Sequence, residues 1–126
     1  MRIDLHIHSK NSDGKLSVAE IIREAKARNI NFLSISDHDS ISCQNQVISL
    51  TRKEGIRYIT GVELNVTFSL PNYHDGKAFS LDFLGYQFDP DNSKLESKLY
   101  TMANYREERA AKILNNLNAE FKEENI

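Results

Sequence analysis

The sequence is poor in the residues that build disulfides, rigid turns and large aromatic cores: 1 cysteine, 2 prolines and no tryptophan in 126 residues. A single thiol, Cys43, excludes an internal disulfide and a Cys-rich structural zinc site. Within SISCQNQ it reads as a small, half-buried helical residue rather than a nucleophile. No stretch rich in Gly, Ser or Pro marks a linker, and there is no internal repeat or low-complexity tract. Apolar runs are too short to span a membrane, and polar residues interrupt MRIDLHIHS before it reaches the length of a signal peptide, so cytoplasm is the default expectation. Strong charge of one sign is also missing. A formal net charge of −2 gives no general attraction to polyanions, so a phosphate-bearing substrate would be held by local arginines, lysines or bound cations. What remains, 40% hydrophobic and 27% charged residues, is ordinary for a soluble globular chain with one core. The length fits one domain, or part of one.

RIDLHI predicts a first strand. LSVAEIIREAKARNI follows it with the 3.6-residue apolar period of a helix, and Ser17 with Glu20 forms a capping box at its start. NFLSIS predicts a second strand, ISCQNQVISLTRKEG a second helix closed by Gly55, and RYITGVELNVTFS a third strand region. Strand, helix, strand, helix, strand with short connections implies parallel, right-handed βαβ units. VELNVTFSL and KAFSLDFLGYQF then predict a β-hairpin, with Asp75-Gly76 as its turn signal. A long helical segment is expected from about Lys94 to Glu124, striped with Leu99, Met102, Ala110, Ile113, Leu117 and Phe121.

Chemistry concentrates at the strand ends. Side chains alternate along a strand, so Asp4, His6 and His8 share one face, and two neighbouring imidazoles can reach one cation. The second strand ends in Asp37, His38 and Asp39, and the third carries Glu63. Parallel α/β folds collect their chemistry at the C-terminal ends of the strands. So many imidazole and carboxylate groups at one edge call for cations to neutralise and coordinate them. Without cysteine the set suits zinc, manganese or iron, and a carboxylate such as Glu63 can bridge two ions in a multinuclear centre. Asp37 and Asp39 could orient His38 or cap the following helix.

DLHIHS, SDG, SDHD and GVEL, in this order and spacing and flanked by LGYQFD, resemble the N-terminal half of the PHP (polymerase and histidinol phosphatase) phosphoesterases. The likeness is greatest to the stand-alone bacterial branch that acts on nucleotide phosphates or RNA ends. Amidohydrolase-type enzymes also open with HxH but do not carry the other three motifs. The resemblance implies an α/β fold, the N-terminal part of a distorted (βα)₇ barrel, with up to three divalent ions (Mn, Fe or Zn) at its C-terminal face. It implies His6 and His8 as ligands of the first metal, Glu63 as the bridge to the second, and Asp13 with His38 as ligands of the third. Asp13, His38 and Glu63 are thereby the expected catalytic residues of a phosphomonoesterase using a metal-bound hydroxide on a nucleotide or RNA end.

Two departures accompany it. Asp82 stands where close relatives carry a histidine ligand of the second metal, and is expected to coordinate in its place. Family members run to roughly twice this length, and their later strands supply another histidine and an Asp-x-His pair. The resemblance implies one PHP-like domain over 1–126 whose helical cap begins near residue 94; Asn104, Arg106 and Arg109 stand where relatives begin the insertion over the barrel mouth, so Arg106 and Arg109 are candidate phosphate contacts, with Lys10 and Lys15 weaker ones. His74, in PNYHDG, is expected as an exposed turn residue. The other class of reading is a non-catalytic metal-binding or interaction module. Half a barrel leaves sheet edges open, so a second copy or the long helix is expected to cover them.

Overall fold

The computed structural model describes residues 1–123, and of these the side chains of His74 and Glu123 lie outside what it describes; so does the expectation for His74. The chain divides into two compact units, Met1–Asn92 and Ser93–Ile126. In the first unit the elements are β1 (Ile3–Ile7), α1 (Val18–Ala27), β2 (Phe32–Ile35), α2 (Gln44–Glu54), β3 (Arg57–Tyr58), β4 (Gly61–Phe68) and β5 (Phe79–Tyr86). The second is α3 (Ser93–Glu120), followed by a short 3₁₀ turn.

Strands β1, β2 and β3 form a parallel sheet in that order, the arrangement expected of consecutive βαβ units. The amphipathic stripe of α1 buries Val18, Ile21, Ile22 and Ala25. These pack with Leu33 and Ile35 of β2 and Val47 of α2 into one core. The Ser17–Glu20 capping box is present, each side chain serving the other residue's backbone N–H. Gly55 ends α2 in the left-handed conformation, φ 68°, which a side chain would disfavour. Cys43 is a correction to the sequence reading: it precedes α2 and is 3% exposed, packed within the core instead of half-buried on a helix.

The third strand region is also not one strand. Arg57 and Tyr58 extend the parallel sheet, whereas Gly61–Phe68 leaves it and pairs antiparallel with β5. Pairing partners are chosen by tertiary position, which alternation along RYITGVEL does not encode. The hairpin itself is present, with Glu63 opposite Leu84 and Asn65 opposite Asp82. Its connection spans residues 69–78 rather than a two-residue turn, and Asp75 (φ 55°) and Gly76 (φ 70°) form a left-handed corner inside it. A parallel bridge between His38 and Glu63 brings the segment after β2 alongside β4. Described by itself, α3 begins one residue before the expected start and presents Ile113, Leu114 and Leu117 as exposed apolar side chains, with Phe121 exposed in the 3₁₀ turn that follows.

Candidate metal centre

Strand β1 and the segment after it supply the two neighbouring imidazoles. Their rings lie 5.0 Å apart between centroids, and their Nε2 atoms approach to 3.0 Å. Glu63, carried by β4 and 6% exposed, places its Oε2 2.8 Å from His6 Nε2 and 2.7 Å from His8 Nε2. These three atoms thus converge on one point. Donor atoms about 2.1 Å from a shared zinc ion lie roughly 3.0–3.4 Å apart; the three separations here, 2.7–3.0 Å, stand at or just inside that spacing, and the donor set is one that could hold a cation.

A second group joins His8, Asp13 and His38. Asp13 Oδ1 accepts from His8 Nδ1 at 2.7 Å, and its other oxygen stands 3.8 Å from His38 Nε2. A carboxylate on the second ring nitrogen is what a metal-binding imidazole requires to hold its tautomer and orientation. Asp13 therefore has two uses in this geometry, orienting His8 with one oxygen and facing His38 with the other. The Asp13 loop reaches His8 because Gly14 lets the backbone fold back: a Cβ there would stand 2.2 Å from the His8 carbonyl oxygen.

Burial alone lowers the pKa of His8, but the hydrogen bond and charge of Asp13, and then those of Glu63, outweigh it and raise the value above 6.5. Burial pushes Glu63 up, and its contacts with His6, His38 and His8 reverse this, leaving it below 4.5. Asp13 is lowered, mainly by its hydrogen bond to His8. In the metal-free chain the raised His8 contributes stability below its unfolded pKa, and this is lost as pH rises through the raised value. The lowered Glu63 contributes above its unfolded pKa, and this is lost on acidification through the lowered value. A cation held by His8 would reverse this preference because it competes with the proton. The metal-induced rise in melting temperature should therefore grow between about pH 5.5 and pH 8. Equal stabilisation across that range, measured by differential scanning fluorimetry with and without Mn²⁺, would contradict this.

The other sequence candidates fall differently. Asp82 is exposed on β5, and its Oδ1 accepts from Asn65 Nδ2 at 2.6 Å; it shares a face with Glu63 but joins neither ligand group among the described residues. Arg106 and Arg109 lie on α3, one helical turn apart, in the second unit. Lys10 is drawn towards Glu20, 3.8 Å away. Asp37 is bonded to Ser9, Ser12 and Cys43, an arrangement that sequence reasoning missed because a buried carboxylate's partners are set by tertiary folding. Tyr86 was also missed. Its hydroxyl donates to the Leu5 carbonyl at 2.8 Å and ties β5 to β1 beside the imidazoles.

The site therefore defines a His/carboxylate centre at the C-terminal edge of a parallel sheet, of the kind found in metal-dependent hydrolases. The chain belongs to the PHP domain family, whose model matches residues 4–123. It is 33% identical over 112 residues to a 5′-3′ exoribonuclease of Haemophilus influenzae, covering 89% of this chain and 38% of that protein. To a 3′,5′-nucleoside bisphosphate phosphatase of Chromobacterium violaceum it is 32% identical over 108 residues, covering 86% and 35%. The structure of an amidohydrolase from Chromobacterium violaceum, with bound sulfate and no metal, matches at TM-score 0.77 and 31% identity, covering 94% of this chain and 39% of that one. The chain thus spans less than two fifths of the length of these curated relatives.

Proposed function

We propose that the chain is the opening part of a distorted (βα)₇ barrel and serves a metal-dependent phosphoesterase that hydrolyses phosphomonoesters of a nucleotide or an RNA end. The observation that carries this reading is the convergence of His6 Nε2, His8 Nε2 and Glu63 Oε2 on one point within 3.0 Å. His6, His8 and Glu63 would hold one divalent ion, and Asp13 with His38 a second. Asp82, on the Glu63 face of the hairpin, is the carboxylate nearest in role to a further ligand. When bound, such ions supply an activated water and neutralise charge on the phosphoryl oxygens. Asp13 holds the His8 ring so that Nε2 faces Glu63. Arg106 and Arg109 are assigned to the substrate phosphate, which planar guanidinium groups grip by paired hydrogen bonds. The relatives named for a bisphosphate phosphatase and an exoribonuclease, and the related structure with sulfate, a phosphate isostere, support this substrate class.

The test incubates the chain with Mn²⁺ and either p-nitrophenyl phosphate, a nucleoside 3′,5′-bisphosphate or a short 5′-phosphorylated RNA. Phosphate or nucleotide release that EDTA abolishes is the expected result. A chain that binds metal but cleaves none of the three, both by itself and joined to the remainder of its barrel, contradicts the enzyme reading and favours a non-catalytic metal-binding module.

A further inference from the structure

Asp37 is fully buried, 0% exposed, and belongs to neither ligand group. Its Oδ1 accepts from the Ser9 backbone N–H at 2.6 Å and the Ser12 hydroxyl at 2.7 Å; its Oδ2 accepts from the Ser9 hydroxyl at 2.7 Å and the Cys43 thiol at 3.2 Å. A carboxylate tolerates such burial only when donors fill its lone pairs. Cys43 is suited to this because burial, with the Asp37 charge, pushes its thiol up to about 12 and keeps it a donor.

The bonds continue outward from Ser9. Its hydroxyl accepts from the Asn11 backbone (3.1 Å) and side chain (2.8 Å), and its carbonyl accepts from the N–H of Ser12 (3.1 Å) and of Gly14 (2.9 Å). The run Ser9-Lys10-Asn11-Ser12-Asp13-Gly14 contains no apolar side chain, so burial of hydrocarbon cannot set its shape. The polar bonds must, and Asp13 stands at their end, against His8 at 2.7 Å and His38 at 3.8 Å.

We propose that Asp37 is a positioning residue for the metal centre: its buried carboxylate fixes the Ser9–Gly14 loop and, through that loop, aims Asp13 at His8 and His38. This rests on the metal reading above and deepens it. The negative charge matters because an asparagine offers one acceptor oxygen and would turn an N–H₂ towards two of the four donors.

The test is a double-mutant cycle read by isothermal titration of Mn²⁺ or Zn²⁺, with circular-dichroism melts to confirm folding. Asp37→Asn should weaken metal binding by roughly 10- to 100-fold, the range seen when outer partners of metal ligands are lost. In an Asp13→Ala background the same change should add less than about twofold, because the route through Asp13 is already gone. Ser12→Ala should weaken binding in the same direction and Ser12→Thr, which keeps the hydroxyl, should restore it. That pair carries the test if Asp37→Asn does not fold. Equal weakening in both backgrounds, or native affinity in Asp37→Asn, overturns the role while leaving the metal reading intact. A native chain that takes up no metal overturns both.

Discussion

Glu63→Ala should abolish tight metal binding and, with it, any phosphoesterase activity. Glu63 Oε2 is the only carboxylate oxygen in the His6–His8–Glu63 group, 2.8 and 2.7 Å from the two imidazole nitrogens, and it stands 3.8 Å from His38 Nδ1 as well. Removing it leaves two imidazoles 3.0 Å apart with no anion between them. The loss in affinity should exceed the roughly 10- to 100-fold typical of outer partners, since a ligand itself is lost. The fold should survive. The backbone bonds that seat this residue, Asp39 N–H to the Glu63 carbonyl (2.8 Å) and Glu63 N–H to the Asp37 carbonyl (3.2 Å), do not involve its side chain. Glu63→Gln keeps the shape without the charge and should also weaken binding strongly. Native affinity in either variant, by isothermal titration, would remove Glu63 from the centre.

The largest expected loss of stability lies elsewhere, at Gln44. It is fully buried, and its amide N–H₂ donates to the carbonyls of Ile35 (3.0 Å) and Gly61 (2.8 Å). Its oxygen accepts from the Tyr58 hydroxyl at 2.6 Å and the Gly61 N–H at 3.4 Å. One side chain of α2 thus joins the end of β2, β3 and the start of β4, where the parallel sheet stops and the hairpin begins. It supplies the hydrogen bonds that a neighbouring strand would otherwise make. Gln44→Leu fills similar volume but withdraws all four partners at once. Each buried group left unpaired costs about 1–3 kcal/mol, so with four of them a total of roughly 4 kcal/mol or more is expected. Urea unfolding measures it, and a loss under about 1 kcal/mol would mean the partners find other bonds. Because β4 carries Glu63, the same substitution should also weaken metal binding.

The local devices of the fold were readable in the residues. The Ser17–Glu20 box, the Gly55 cap and the apolar stripe of α1 act within a few positions of one another, so periodicity and spacing reveal them. The HxH pair was readable for the same reason: alternation along a strand puts His6 beside His8. What could not be read depends on neighbours far along the chain. Gln44 looks like any polar helix residue until β2 and β4 surround it. Asp37 offered two local roles, orienting His38 or capping a helix, and its carboxylate bonds instead to Ser9, 28 residues earlier, to Ser12 and to Cys43. The split of RYITGVEL into β3 and β4 was hidden because both halves have the same strand-like pattern and differ only in partner. The four motifs of the PHP likeness singled out His6, His8, Asp13, His38 and Glu63, which the structure places in two neighbouring groups, and the dual contact of Asp13 with His8 and His38 came from the structure alone.

Whether His6, His8 and Glu63 hold a cation is read from metal content per chain. It is measured by plasma mass spectrometry on protein purified without chelator or histidine tag, beside Glu63→Ala prepared in the same way. At least one equivalent of manganese, iron or zinc is expected in the native chain and close to none in Glu63→Ala. A folded native chain without metal, or a Glu63→Ala variant carrying as much as the native chain, would contradict this.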